Sequence, residues 1–243
     1  MSLDVEARKH IPNVNREAFL EGVKDCVPTL LGYMSIGFAF GIVGISAQLS
    51  IWDIALLSIF VYAGASQFII CALLVTGSPT SAIIFTTFIV NLRHLLLSLT
   101  LAPHFTQYSV KQNIGFGLLL TDESFGVAVN QLAQQGKLDN RWMHGLNLTA
   151  YLCWIVSCTL GGLFGHYISD PEALGLDFAL SAMFVALLIL SLQTVPKNQL
   201  THRLSLVLYM VLAMFILLHF VPSHVAVLIA TIIVATIGVV TDK

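Results

Sequence analysis

The sequence predicts an all-α polytopic membrane protein with about eight transmembrane helices in two related halves of four. Three observations carry that expectation. Hydrophobic residues make up 57% of the 243 and charged residues only 10%, and the mean hydropathy is +0.87. Average soluble domains carry roughly 25% charged residues. A soluble fold of this size could not cover its surface with 11 basic and 13 acidic side chains. The second observation is that the charges cluster and leave long uncharged runs. The third is an internal repeat. Together they exclude a soluble enzyme and a disordered chain. A net charge of −2 and a pI near 6.4 offer no basic footprint for nucleic acid.

The uncharged runs are Cys26–Trp52, Ile54–Leu92, Trp142–Ser169, Phe178–Pro196 and Leu204–Thr241. A helical crossing needs about 20 residues. The two longest runs, of 39 and 38 residues, therefore each hold two crossings around a turn. Gly77-Ser78-Pro79 marks the first turn and Pro222-Ser223 the second. Spans are expected at about 27–47, 53–76, 80–102, 113–135, 142–167, 176–195, 203–220 and 223–241. The fourth carries Asp122 and Glu123 in its middle, and the last two are short enough to pack as a hairpin. Residues 1–25 hold nine charges and no apolar core of a secretory signal. They are expected as a cytoplasmic segment, with an amphipathic helix over 13–25 capped by Asn13 or Asn15. The first membrane repeat then covers 26–136 and the second 137–243.

Lys and Arg in short loops set orientation. With eight spans, Arg8, Lys9, Arg16, Lys24, Lys137, Arg141, Lys197, Arg203 and Lys243 fall on one side and Lys111 alone on the other. Both termini are therefore expected in the cytoplasm. The four cysteines, Cys26, Cys71, Cys153 and Cys158, lie in apolar stretches at no metal or redox spacing and read as buried thiols.

The repeat has a register of 124 residues without a gap. Gly37-Phe38-Ala39-Phe40-Gly41 matches Gly161-Gly162-Leu163-Phe164-Gly165, Asp53 matches Asp177, and Phe60-Val61 matches Phe184-Val185. Two homologous halves are a transporter signature, with the substrate site at their interface. Four spans in each half make the repeat parallel; a re-entrant element in the first half makes it inverted. The charge bias favours parallel. Asp53 and Asp177 read most simply as first-turn acids opening spans 2 and 6.

Ionisable groups inside a membrane are costly, roughly 2.5–3.5 kcal/mol each on insertion scales, and mark function. Three stretches stand out. In span 3, Thr87, Asn91, His94 and Ser98 share one helix face, with Thr86, Arg93 and Thr100 beside it. That polar wall must face protein or water. Arg93 offers a fork for a carboxylate, or serves as one half of a structural ion pair. In span 4, Thr121-Asp122-Glu123-Ser124 follows Gly115 and Gly117. Either the helix breaks there, with Thr121 or Asp122 capping its second half, or one acid meets Arg93 while the other titrates. In span 2, Tyr62-Ala63-Gly64-Ala65-Ser66-Gln67 reads as a tight helix crossing or as a wall thin enough for a ligand to touch backbone. Asn147, Tyr151 and Trp154 in span 5 are weaker candidates. No HExxH, GxSxG or P-loop is present, so nothing supports an intramembrane protease or transferase, and no ATP hydrolysis is expected.

These stretches, with Leu176-Asp177-Phe178-Ala179, resemble in order and spacing the AzlC-type permease family, over about Phe19 to Gly238. The resemblance implies the larger subunit of a bacterial inner-membrane exporter of valine, leucine or isoleucine, with methionine a further candidate. It also implies a small AzlD-type membrane partner, and no cofactor. The residues agree in kind. A zwitterion with an apolar tail needs a cation or helix N-terminus, an acceptor for ammonium and an apolar pocket. Substrate-binding residues are expected to be Arg93, Asn91, His94, Tyr62, Ser66 and Gln67. Asp122 and Glu123 are expected to couple export to an ion gradient, most simply protons in antiport, with His94 as an alternative. A passive channel and a non-transporting scaffold for the partner remain as rival readings.

Overall fold

The computed structural model describes residues 14–168, 195–221 and 223–241, with scattered positions between 169 and 194. All described elements are helical. They fall into two compact units, Met1–Ala179 and Leu180–Lys243. Four helices are long and apolar enough to cross a membrane: Arg16–Ser46, Thr80–Phe105, Asn140–Gly165 and Lys197–Leu217.

In the first unit, α1 is Val14–Ser46, α2 Ile51–Phe60, α3 Gly64–Val75 and α4 Thr80–Leu101. They are followed by α5 Val110–Leu118, α6 Asp122–Gln135 and α7 Asn140–Gly165. The segment expected as a separate amphipathic helix is instead the first turns of α1. This 33-residue helix runs unbroken through Pro28. Asn15 lies inside it; Asn13 lies outside the described residues. Gln48, at φ 65°, ends α1, with Leu49 N–H donating to the Gly44 carbonyl at 3.0 Å. Ser50 and Asp53 then form a reciprocal capping box that opens α2. Asp53 is thus a first-turn acid, as its position in the sequence indicated; its repeat partner Asp177 lies outside the described residues. Gly77, at φ 66°, makes the turn between α3 and α4. Gly136, at φ 70°, ends α6, and the Asp139 carboxylate caps α7.

The core of this unit is the pair α1 and α7. A Cβ on Gly22 would lie 2.0 Å from the Trp142 carbonyl oxygen, and one on Gly41 2.2 Å from that of Cys158. One on Gly161 would lie 2.1 Å from the Phe38 carbonyl oxygen. Contacts advance together along both chains, so the helices run in the same direction, backbone against backbone. Small residues at such crossings permit close approach where lipid gives no hydrophobic drive. The repeated glycines 37, 41, 161 and 165 all belong to this crossing. The counterpart of α2 in the second half lies mainly outside the described residues.

The segment 53–76, expected as a straight crossing, and the segment 113–135, expected as a crossing that Thr121–Ser124 either breaks or leaves intact, are each a re-entrant pair of half-helices. The α4 helix gives the scale. Its end is followed by Tyr108, whose hydroxyl donates to the Leu138 carbonyl at 3.1 Å, beside the start of α7. Asn91, in the middle of α4, accepts from Ser66 at 2.7 Å, just inside the start of α3. The α3 helix therefore climbs from mid-depth to the start of α4. The α2 helix begins at that same end: its Ile54 meets Gly44 and Gly162, near the ends of α1 and α7. It descends until the Ile59 carbonyl accepts from Tyr151 at 3.0 Å. Leu49, Asp53, Leu57, Ile70 and Leu74 line one groove between the two arms. The α5–α6 pair mirrors this from the opposite end. It rises from Ser109, beside Tyr108, to a break at Leu119–Thr121 and returns to Gly136 and Asp139.

The change in topology has a physical reason. Half-helices of 9 to 14 residues satisfy their own backbone. Non-helical backbone is tolerated at membrane depth where protein buries it. The geometry also removes the one exception in the charge pattern: Lys111 now lies at the same end as Arg16, Lys24, Lys137 and Arg141.

In the second unit, α8 (Lys197–Leu217) and α9 (Ser223–Thr241) form an antiparallel hairpin. A Cβ on Gly238 would lie 3.2 Å from Leu206.

Candidate functional site

The two breaks bring polar groups to mid-depth between α1, α4 and α7. In the first hairpin, Tyr62 sits at φ 34°, a conformation uncommon for a bulky residue and typical of constrained sites. No side chain caps α3 at Ala63, so Gly64, Ala65 and Ser66 open a helix N-terminus at mid-depth. In the second hairpin, Thr121 caps α6 by accepting from Ser124 N–H, and Ser124 Oγ accepts from Thr121 N–H at 2.8 Å. The sequence reading offered a broken span 4 with Thr121 or Asp122 as cap; the break is present and Thr121 is the cap.

Most of the α4 polar wall faces protein; Thr100 is exposed, and its hydroxyl donates to the Leu96 carbonyl of its own helix. Arg93 Nη1 pairs with Asp122 Oδ2 at 2.7 Å, with about a quarter of each side chain exposed. Asn91 Oδ1 accepts from Ser66. Ser98 lies against Gly117. His94 Nε2, Thr87 Oγ1 and Tyr62 OH are buried without a hydrogen-bond partner among the described residues. Buried polar atoms are rarely left unpaired in native structures. Of the two acids, Asp122 is the one that meets Arg93. Glu123 has no cation within salt-bridge distance among the described residues; its carboxylate accepts the Tyr33 hydroxyl at 3.1 Å. Tyr33 also hydrogen-bonds Thr121.

Gln67 is fully buried, and both ends of its amide are engaged. Its oxygen accepts from Trp154 Nε1 at 3.0 Å and its nitrogen donates to Ser58 at 3.3 Å. It stands behind the hairpin tip rather than on an open surface.

Two groups of residues at the site carry little signal in the sequence. Tyr33 gave no signal, because one tyrosine in an apolar span resembles any core aromatic. Asn147, Tyr151 and Trp154 were placed low, yet this one face of α7 braces both hairpins. Asn147 donates to the Phe116 carbonyl at 3.3 Å near the second break. Tyr151 and Trp154 hold the first, and the Tyr62 and Tyr151 rings meet edge to face at 4.8 Å. Their 4-3 spacing was the available clue. All four cysteines are free thiols. No group of three metal-ligating side chains occurs among the described residues.

The chain is similar to known membrane proteins. Inner membrane protein YgaZ of Escherichia coli is 31% identical over 75% of this chain and 76% of its own. The branched-chain amino acid transport protein AzlC of Bacillus subtilis is 28% identical over 71% of this chain and 67% of its own. An uncharacterized membrane protein of Archaeoglobus fulgidus is 32% identical over 72% and 76%. No solved structure matches. Residues 28–168, which contain α2 to α7 and most of α1, match the AzlC protein family, and the chain belongs to that family.

Proposed function

We propose that this chain is the larger subunit of a bacterial inner-membrane exporter of branched-chain amino acids, driven by a proton gradient in antiport. The observation that carries the reading is the site where the two re-entrant hairpins meet. It holds one guanidinium paired with one acid, a second acid that accepts the Tyr33 hydroxyl, and an uncapped helix N-terminus. The similarity to a protein named for branched-chain amino acid transport supports the substrate class. Arg93 takes the substrate carboxylate; its five donors can serve Asp122 and a ligand together. Asn91, His94, Tyr62 and Ser66 line the site, and Gln67 holds it from behind. Asp122 keeps Arg93 in place, and Glu123 carries the coupling proton. The exposed apolar helix faces meet the lipid bilayer and a small AzlD-type membrane subunit. ATP, nucleic acid and cofactors take no part.

The test is counterflow of labelled valine, leucine and isoleucine in proteoliposomes, with and without the small subunit. Saturable, proton-dependent exchange is expected with both subunits. Glu123→Gln should keep valine binding within about twofold while flattening the pH profile of export. Flux that neither saturates nor follows a proton gradient would instead reveal a channel. Normal flux in both Arg93→Ala and Asp122→Asn would leave only a scaffold role. The N-terminus is expected in the cytoplasm because the basic residues of the first unit share one end, and the C-terminus is expected there from the charge bias of Lys197, Arg203 and Lys243 in the sequence. A terminal reporter fusion that reads periplasmic would sink that orientation.

A further inference from the structure

Both hairpins rest on the α1–α7 pair: α1 packs on α2, α3 and α6, and α7 on α2, α5 and α6. One chain of buried side chains crosses that pair. It begins at Glu123, at the tip of the second hairpin, which accepts the Tyr33 hydroxyl at 3.1 Å. The Tyr33 ring meets the Trp154 indole edge to face, centroids 5.5 Å apart. Trp154 donates to Gln67 on α3, and Gln67 donates to Ser58 on α2. The chain thus ends on both arms of the first hairpin. Tyr33 and Trp154 are more than nine-tenths buried, and Gln67 and Ser58 are shut completely. Packed polar networks of this kind have few alternative arrangements, so a change at one end is not absorbed locally.

We infer that Tyr33 and Trp154 are positioning residues that link the charge on Glu123 to the closure of the first hairpin. The hairpin entered from one end of the molecule therefore responds to a proton held at the tip of the other. Tyr33 has a single hydroxyl hydrogen, with Glu123, Thr121 and the Tyr62 hydroxyl around it. A charged Glu123 takes that hydrogen in a charge-assisted bond, roughly twice the strength of a neutral one. A protonated Glu123 carries its own O–H, for which the Tyr33 oxygen is the acceptor, and the tyrosine hydrogen turns to Thr121. The ring then shifts against Trp154, and the pull reaches Gln67 and Ser58. Glu123 is faced by Asp122 on its own helix, by Tyr33 of α1 and by Tyr62 of the first hairpin. Arg93 and His94 of α4 act on Asp122 beside it. Tyr151 of α7 lies behind Tyr62.

The inference takes the identity of the proton site from the transport reading, so its test requires no substrate and no flux. Amide hydrogen exchange is followed on the full chain in detergent at acidic and alkaline pH, corrected for intrinsic rates. In the parent, residues 58–67 should differ by about fivefold or more between the two conditions, the low end of ordinary coupling between sites. Glu123→Gln should abolish the difference. Tyr33→Phe keeps the ring and should abolish it in 58–67 while leaving a difference in 119–126; Trp154→Phe should do the same. His94→Gln should leave both. No pH difference in the parent overturns the inference. So does Tyr33→Phe that raises exchange at both pH values but keeps the difference, because that is a merely structural role. So does a response that His94→Gln removes and Glu123→Gln does not. Absence of export by the parent would overturn the transport reading and leave the exchange result standing.

Discussion

Arg93→Lys is expected to reduce valine export at least about tenfold while the protein still folds and inserts. Lysine keeps the positive charge, and its ammonium can still meet Asp122, so the neutral pair survives. The planar fork is lost, and with it the second of two parallel bonds to a substrate carboxylate. A hydrogen bond to a charged group contributes about 1.5–3 kcal/mol, and about 1.4 kcal/mol is a factor of ten. The partner substitution behaves differently. Asp122→Asn leaves the half-buried guanidinium without its carboxylate, so folded yield should fall before transport can be read. Replacing both residues by leucine removes the guanidinium as well and should recover the yield with no export. Yields in detergent and efflux from liposomes separate these outcomes. If Arg93→Lys exports like the parent, the carboxylate is held elsewhere, and the uncapped start of α3 becomes the place to look.

Gly161→Ala is expected to cost about 2–4 kcal/mol of stability, in the range of severe overpacking. The added methyl would lie 2.1 Å from the Phe38 carbonyl oxygen and 2.8 Å from Phe38 Cα. Both are backbone atoms and cannot swing aside, so α1 and α7 must separate. Gly37 and Gly41 lie along the same crossing, so the separation spreads to their contacts with Ser157, Cys158 and Gly162. Both hairpins rest on this pair, so export should fall with stability. Gly115→Ala is the control: no atom lies within 4 Å of its added methyl, and in a helix interior alanine gains about 0.5–1 kcal/mol over glycine. Thermal unfolding in detergent gives the comparison. Equal midpoints for the two variants would show that the helices do not touch at Gly161.

The parts of the site that were legible are those that conflict with their surroundings. Arg93, Asn91 and His94 stand out in span 3 because polar groups are costly there. The order Thr121-Asp122-Glu123-Ser124 reads as a helix start because its cap is local chemistry. Gly37, Gly41, Gly161 and Gly165 stand out through the repeat, and they form the α1–α7 contact. Tyr33 could not be picked out and Trp154 ranked only as a weak candidate, since an aromatic side chain fits lipid, core and site alike. Gln67 looked available to a ligand because its two partners, Ser58 and Trp154, are nine and 87 residues away in sequence. The two acids looked equivalent for a similar reason; only the position of α4 decides that Asp122 meets Arg93 and that Glu123 does not.

By itself, the sequence determined that this is a helical membrane protein, where its apolar segments lie, its family and which residues are too polar to be incidental. These are properties of local composition, spacing and caps. The tertiary structure alone decided which segments pass through and which turn back. A run of about 20 apolar residues can form one crossing helix or two half-helices meeting at mid-depth, which pair most of their backbone internally but leave the groups at the break to find partners in the surrounding protein. What separates the two is the protein wall behind the break. Here that wall is made by Tyr151 and Asn147 of α7, Tyr33 of α1 and Asn91 of α4, residues far apart in the chain. They stand together only because glycines let α1 and α7 touch.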